Sequence, residues 1–183
     1  MQLPTSIPEH DPSGLWALQL ELLALAEQLV GERDSSKNIY QPAFHENGPH
    51  LRNTPTLDGA FAELGLGSKV SWPIVVFEMA HETIHLLNPT VSCTNWLEEG
   101  VAVEFSLYAQ GQYGLSIHSL QSGPYLEALE MVRTLPGGTF SAAYRVRESA
   151  GSLNAATFEQ LSTLFPTCES TGLRQLSKIC VPR

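Results

Sequence analysis

Cysteine is scarce and unpatterned. The chain holds three, Cys93, Cys168 and Cys180. Their number is odd and none belongs to a Cys-x-x-Cys pair, so neither a disulfide framework nor a thiolate zinc site is indicated. Three reduced thiols in a cytoplasmic protein is the expectation, with a Cys168–Cys180 bridge as an alternative that nothing in the sequence demands. Positive charge is scarce as well: ten Lys and Arg stand against nineteen Asp and Glu, for a formal net charge of −9. A phosphate reader needs a basic face, so the charge argues against nucleic-acid binding, and docking on anionic lipid is disfavoured. No apolar run reaches the ~20 residues that a membrane span needs. The richest stretch, residues 15–30, is broken by Gln19, Glu21, Glu27 and Gln28. Residues 1–10 have no basic n-region and no apolar h-region, and read as a loose, proline-bearing arm rather than a secretory signal. There is no P-loop, no Gly-x-Gly-x-x-Gly and no Gly-x-Ser-x-Gly, which leaves nucleotide, dinucleotide and serine-hydrolase readings without support. Internal repeats and low-complexity tracts are also lacking.

The rest of the composition is an ordinary globular balance. With 183 residues, 43% hydrophobic and 16% charged, the chain is long enough for one domain with a real core, taken as residues 1–183. Asp11-Pro12 reads as a helix N-cap followed by proline at the first helical position. Leu15, Leu18, Leu22, Leu25 and Leu29 then recur at helical spacing up to Gly31. Residues 35–70 are punctuated by Gly, Pro, Asn and Asp and predict two or three short strands, with a helical turn at residues 60–64. Ser71-Trp72-Pro73 starts another helix, expected to stop before Asn88-Pro89. Thr94 or Asn95 can cap the next one, and Asn95 with Glu98 fits a capping box. Helices at residues 124–135, 140–150, 155–165 and 171–180 complete the prediction. The fold class is α+β, predominantly helical, with a small β patch N-terminal to the helix of residues 72–87.

That helix carries His81-Glu82-Thr83-Ile84-His85, the pattern His-Glu-x-x-His. Residues four apart sit one turn apart on the same helix face, so His81 and His85 can both offer imidazole nitrogens to one ion. Glu82 projects beside the ion, where a carboxylate can take a proton from an activated water. A catalytic zinc wants a third protein ligand and one open position. There is no further His until His118, which excludes the metzincin continuation. The chain continues instead to Trp96-Leu97-Glu98-Glu99-Gly100-Val101-Ala102.

This segment resembles the Trp-Leu-x-Glu-Gly-x-Ala run of gluzincin metallopeptidases, notably the zinc aminopeptidases. The resemblance covers residues 72–106. It implies a zincin-like fold, one zinc ion, a peptide or protein substrate, and Glu99 rather than Glu98 as third ligand. The residues agree, since two antiparallel helices joined by a short turn can present His81, His85 and Glu99 to one point. Gly100 either clears space beside the metal or lets helices pack closely. The chain also departs from the family. Only thirteen residues separate His85 from Glu99, a tight connector. Where the thermolysin-like branch places an acid to orient a zinc His, this chain has Val103, with Glu104 the nearest acid. The amine-gripping Gly-x-Met-Glu-Asn segment is missing, with Gly59-Ala60-Phe61-Ala62-Glu63 only an echo, so aminopeptidase specificity is not carried over. For the oxyanion stabiliser that the family places C-terminal to its ligands, the candidates are Tyr108, Tyr113, His118, Tyr125 and Tyr144, with Tyr125 preferred, and then Arg145 and Arg147. His10, His45 and His50 read as plain surface residues. The expected activity is zinc-dependent peptide hydrolysis with Glu82 as general base. The alternatives are a catalytically silent, metal-stabilised peptide binder and a regulatory protease with one protein substrate.

Overall fold

The structure is a computed structural model that describes residues 2–116 and 122–180. It is α+β and predominantly helical, with seven α-helices and four short strands among the described residues. The chain divides into two compact units. The first comprises Met1–Glu27, Glu32–Val91 and Phe105–His118; the second comprises Gln28–Gly31, Ser92–Glu104 and Ser119–Arg183.

Helix α1 spans Pro12–Val30, its residues 12–27 in the first unit and 28–30 in the second. Asp11 caps it, its Oδ1 accepting from the Gly14 N–H at 2.8 Å, as an N-cap carboxylate should. The buried face runs through Leu15, Leu18, Leu22, Leu23, Ala26 and Val30. It therefore drifts off the expected Leu stripe, and Leu25 and Leu29 are only half-buried. Residues 2–10, expected as a loose arm, carry anchors: a 3-10 turn at Pro8–His10, a Trp72 Nε1–H bond to the Ser6 carbonyl at 2.6 Å, and a Lys69–Glu9 ion pair at 2.7 Å.

The sheet is built around one strand. β1 (Asn38–Ile39), β2 (Ala43–His45) and β3 (His50–Asn53) all pair with β4 (Gly59–Gly65). β1 and β2 run parallel to β4, and β3 antiparallel. Ala60 and Glu63 each have a β3 partner as well as one from β1 or β2. Strands β1 and β2 must then share the opposite edge of β4, interrupted around Pro42, which has no N–H to give. The expected helical turn at residues 60–64 is thus the central strand. Ala, Glu and Leu favour a helix locally, but pairing on both edges overrides that preference.

Glu63 is buried in this sheet. Arg52 grips it with two hydrogen bonds of 3.1 Å, His50 Nε2 lies at 2.6 Å and His45 Nδ1 at 3.8 Å. His45 and His50 are therefore not plain surface residues, because the sheet gives both a carboxylate neighbour. Burial pushes the Glu63 carboxyl up. Hydrogen bonds from Arg52 and the nearby charges of His50, Arg52 and His45 outweigh it and leave the group below its ordinary range.

Helix α2 spans Trp72–Leu86, with proline in its first turn and Leu87 closing it. It lies against β4. Glu78 Oε2 accepts from the Gly65 N–H at 2.9 Å. On the α1 side, Gln19 Nε2–H donates to Thr83 Oγ1 at 2.9 Å in a fully buried position. The carbonyl of Leu87 accepts from the Asp34 N–H at 2.8 Å, satisfying an end group that the helix itself leaves open.

Helix α3 spans Trp96–Gln112. The second unit holds its residues 96–104 together with α4 (Pro124–Arg133), α5 (Thr139–Ala150), α6 (Phe158–Leu164) and α7 (Ser170–Leu176). A Cβ added at Gly100 would stand 2.5 Å from the Ala128 carbonyl oxygen and 2.6 Å from Val132 Cγ1. The glycine therefore serves the close approach of α3 and α4. Arg147 is buried and donates to the carbonyls of Val30 and Gly31, closing the end of α1. All three cysteines are free, and no helix is long and apolar enough to cross a membrane among the described residues.

Two outcomes test this account. Gly100→Ala forces α3 and α4 apart, and should lower the urea unfolding free energy by about 1–3 kcal/mol, the usual cost of overpacking. The depressed Glu63 carboxyl contributes stability that is complete above its ordinary value of 4.5 and is lost as pH falls through the lower folded-state value. Stability measured from pH 7 to pH 3 should decline below about pH 4.5, and Glu63→Gln should make that acid limb shallower. Equally steep limbs would show that the sheet's carboxylate is not linked to folding.

Candidate metal centre

Helix α2 brings the two imidazoles together because it is regular from end to end. His81 and His85 lie one turn apart, their ring centroids 5.1 Å from each other and their planes at 64°. Both are buried, as are Glu82 between them and Thr83 beside it. Thr83 is turned to structure: its hydroxyl donates to the Met79 carbonyl at 2.7 Å while accepting from Gln19.

Glu99 lies in the first turn of α3, next to Glu98, and both are buried. Of the two candidate caps, Asn95 takes the role. Its Oδ1 accepts from the Glu98 N–H at 2.8 Å, and its Nδ2–H donates to the Leu153 carbonyl at 2.9 Å. Thr94 does something else. Its hydroxyl donates to Glu99 Oε1. The start of a helix is also where the macrodipole favours a carboxylate.

One ligand atom from each of His81, His85 and Glu99 lies within 4.8 Å of the other two. Of the adjacent pair Glu98 and Glu99, it is Glu99 that belongs to this group. Two neutral imidazoles and one carboxylate are a donor set that zinc accepts in three-ligand sites with an open position. The residues present therefore fit a zinc ion. Nearby, burial pushes the Cys180 thiol up, with the charges of Glu99 and Glu127 adding, to about 11.

The remaining candidates have varied surroundings. Tyr125 stands in the first turn of α4 and is 39% exposed. Tyr113 donates its hydroxyl to Glu21 Oε2 at 2.6 Å, and burial together with that carboxylate holds its phenol well above the ordinary range. Tyr108 is half-buried on α3 and Tyr144 is exposed on α5. Arg145 donates to the Leu164 carbonyl at 2.8 Å and stacks over Phe165, and Arg147 closes α1, so both arginines carry structural duties. Glu104 pairs with Arg133 at 2.7 Å. His118 lies outside the described residues. Sequence reasoning offers Thr94 only as an alternative cap. The signal for its other role is its place directly before the Asn95 cap, from which a side chain can meet the fourth helical residue, here Glu99.

Comparison with protein-family models, with curated proteins and with solved structures finds no match.

A metal assay checks the geometry directly. Protein purified without chelator and offered zinc should hold one equivalent by elemental mass spectrometry, and Glu99→Ala should be depleted. Equal zinc in both proteins would remove Glu99 from the ligand set.

Proposed function

We propose that this chain is a small, zinc-dependent peptidase of gluzincin type, with a zincin-like fold and a peptide or protein substrate. The observation that carries the reading is the convergence of His81, His85 and Glu99, each buried, with ligand atoms within 4.8 Å of one another. The likeness of Trp96-Leu97-Glu98-Glu99-Gly100-Val101-Ala102 to the gluzincin segment supports it from the sequence side.

His81, His85 and Glu99 would hold the ion. When bound, zinc supplies Lewis acidity and lowers the pKa of a water to about 7. Glu82 is the residue directly after His81 and accepts the proton of the attacking water. It then returns that proton to the leaving amine, acting first as base and then as acid. Its burial keeps bulk water from competing for the proton. A positioned side chain must balance the charge developing on the carbonyl oxygen, and Tyr125 is the candidate for that role. Among the described residues β3 pairs with β4 alone. Its other edge can accept an extended peptide as an added strand.

Glu82→Gln separates binding from chemistry. Its amide can neither take nor return the proton, while the three ligands are untouched. Cleavage of a peptide library should fall by about 10²–10⁴-fold, with zinc retained at the wild-type level. Unchanged cleavage in this variant, or wild-type cleavage that survives chelation, would sink the proposal.

A further inference from the structure

The connector before α3 is held from far along the chain. Trp96 N–H donates to the Lys178 carbonyl at 3.0 Å, and Cys180 N–H donates to the Thr94 carbonyl at 2.9 Å. Asn95 and Ile179 face each other as an antiparallel bridge between these two bonds. The main chain of Thr94 is thus fixed on one side by the bridge and on the other by the Asn95 cap of α3. Thr94 is the residue immediately before that cap and Glu99 is the fourth residue of the helix. Side chains at these two positions meet at a helix start, where they usually form an apolar contact. Here the contact is polar: the Thr94 hydroxyl donates to Glu99 Oε1.

We infer that Thr94 is a positioning residue for the metal centre. Its hydroxyl, placed by the bridge to residues 178–180, fixes the rotation of the Glu99 carboxylate. The inference rests on the metal-centre reading. A carboxylate that ligates through one oxygen is aimed by the hydrogen bond that its other oxygen accepts, and partners of this kind are typically worth roughly 10- to 100-fold in metal affinity. The hydroxyl is a neutral donor, so it orients the carboxylate without cancelling the charge that a cation needs.

The test is zinc affinity, measured by competition with a chromophoric chelator, in wild type, Thr94→Val, Thr94→Ser and Glu99→Ala. Valine keeps the shape of threonine and removes the donor; serine keeps the donor and removes the methyl. Thr94→Val should bind zinc roughly 10- to 100-fold more weakly, and Thr94→Ser should stay near wild type. Thermal melts of the metal-free proteins accompany the titrations. Should Thr94→Val fail to fold, Thr94→Ala against Thr94→Ser asks the same question. Zinc bound by wild type with no loss in the donor-free variant overturns this inference alone. A Thr94→Ser protein as weak as Thr94→Val also overturns it, because the methyl would then be what matters. Failure of wild type to bind zinc removes the metal-centre reading, and this inference with it.

Discussion

Two imidazoles and a carboxylate held close together in buried positions are costly to assemble. Taking an ionised carboxylate out of water costs several kcal/mol even after relaxation, and each ring must be kept from turning. The protein meets the two demands differently. The imidazoles stand one turn apart on α2, whose surroundings are fixed by the Gln19–Thr83 bond and by the Glu78 contact with Gly65. The carboxylate is met by a helix start, where the macrodipole favours its charge and where the Thr94 hydroxyl receives it.

The sheet packs against α2. It is small, and its central strand is buried along nearly its whole length. A strand of alanine, phenylalanine, glutamate and leucine lets a helix lie close while bringing one carboxylate inside. Glu63 is tolerated because Arg52 and two histidines surround it. The last turn of α2 and the connector after it are tied to the same unit, through the Leu87 carbonyl to Asp34 and the Thr90 carbonyl to Asn53. The end of the helix that bears His85 therefore does not fray freely.

The elements readable from sequence are those whose signals are local. Asp11, Pro12 and Gly31 bracket α1; Ser71, Pro73 and Pro89 bracket α2; Asn95 opens α3. Cap chemistry and proline geometry act within a turn, so they survive without knowledge of the fold. The His81–His85 pair is legible for the same reason. The features that mislead depend on contacts between distant residues. Residues 60–64 look helical alone and become a central strand through partners at 38–53. His45 and His50 look like surface residues until Glu63 arrives from the central strand. Gly100 looks suited to a metal site, yet its missing side chain faces Ala128 and Val132.

Thr94 belongs to that second group, and the reason bears on how such sites are recognised. Only thirteen residues separate His85 from Glu99, so the connector before α3 is short. Glu99 accepts a hydrogen bond from the residue just before the helix cap. Thr94 supplies the donor, and residues 178–180 supply the backbone bonds that hold Thr94 in place. A motif written over residues 96–102 cannot contain that partnership, because half of it lies at the far end of the chain. Residues that aim a ligand are better sought at the position before a helix cap, and then in whatever segment pairs with it, than in the run of residues around the ligand itself.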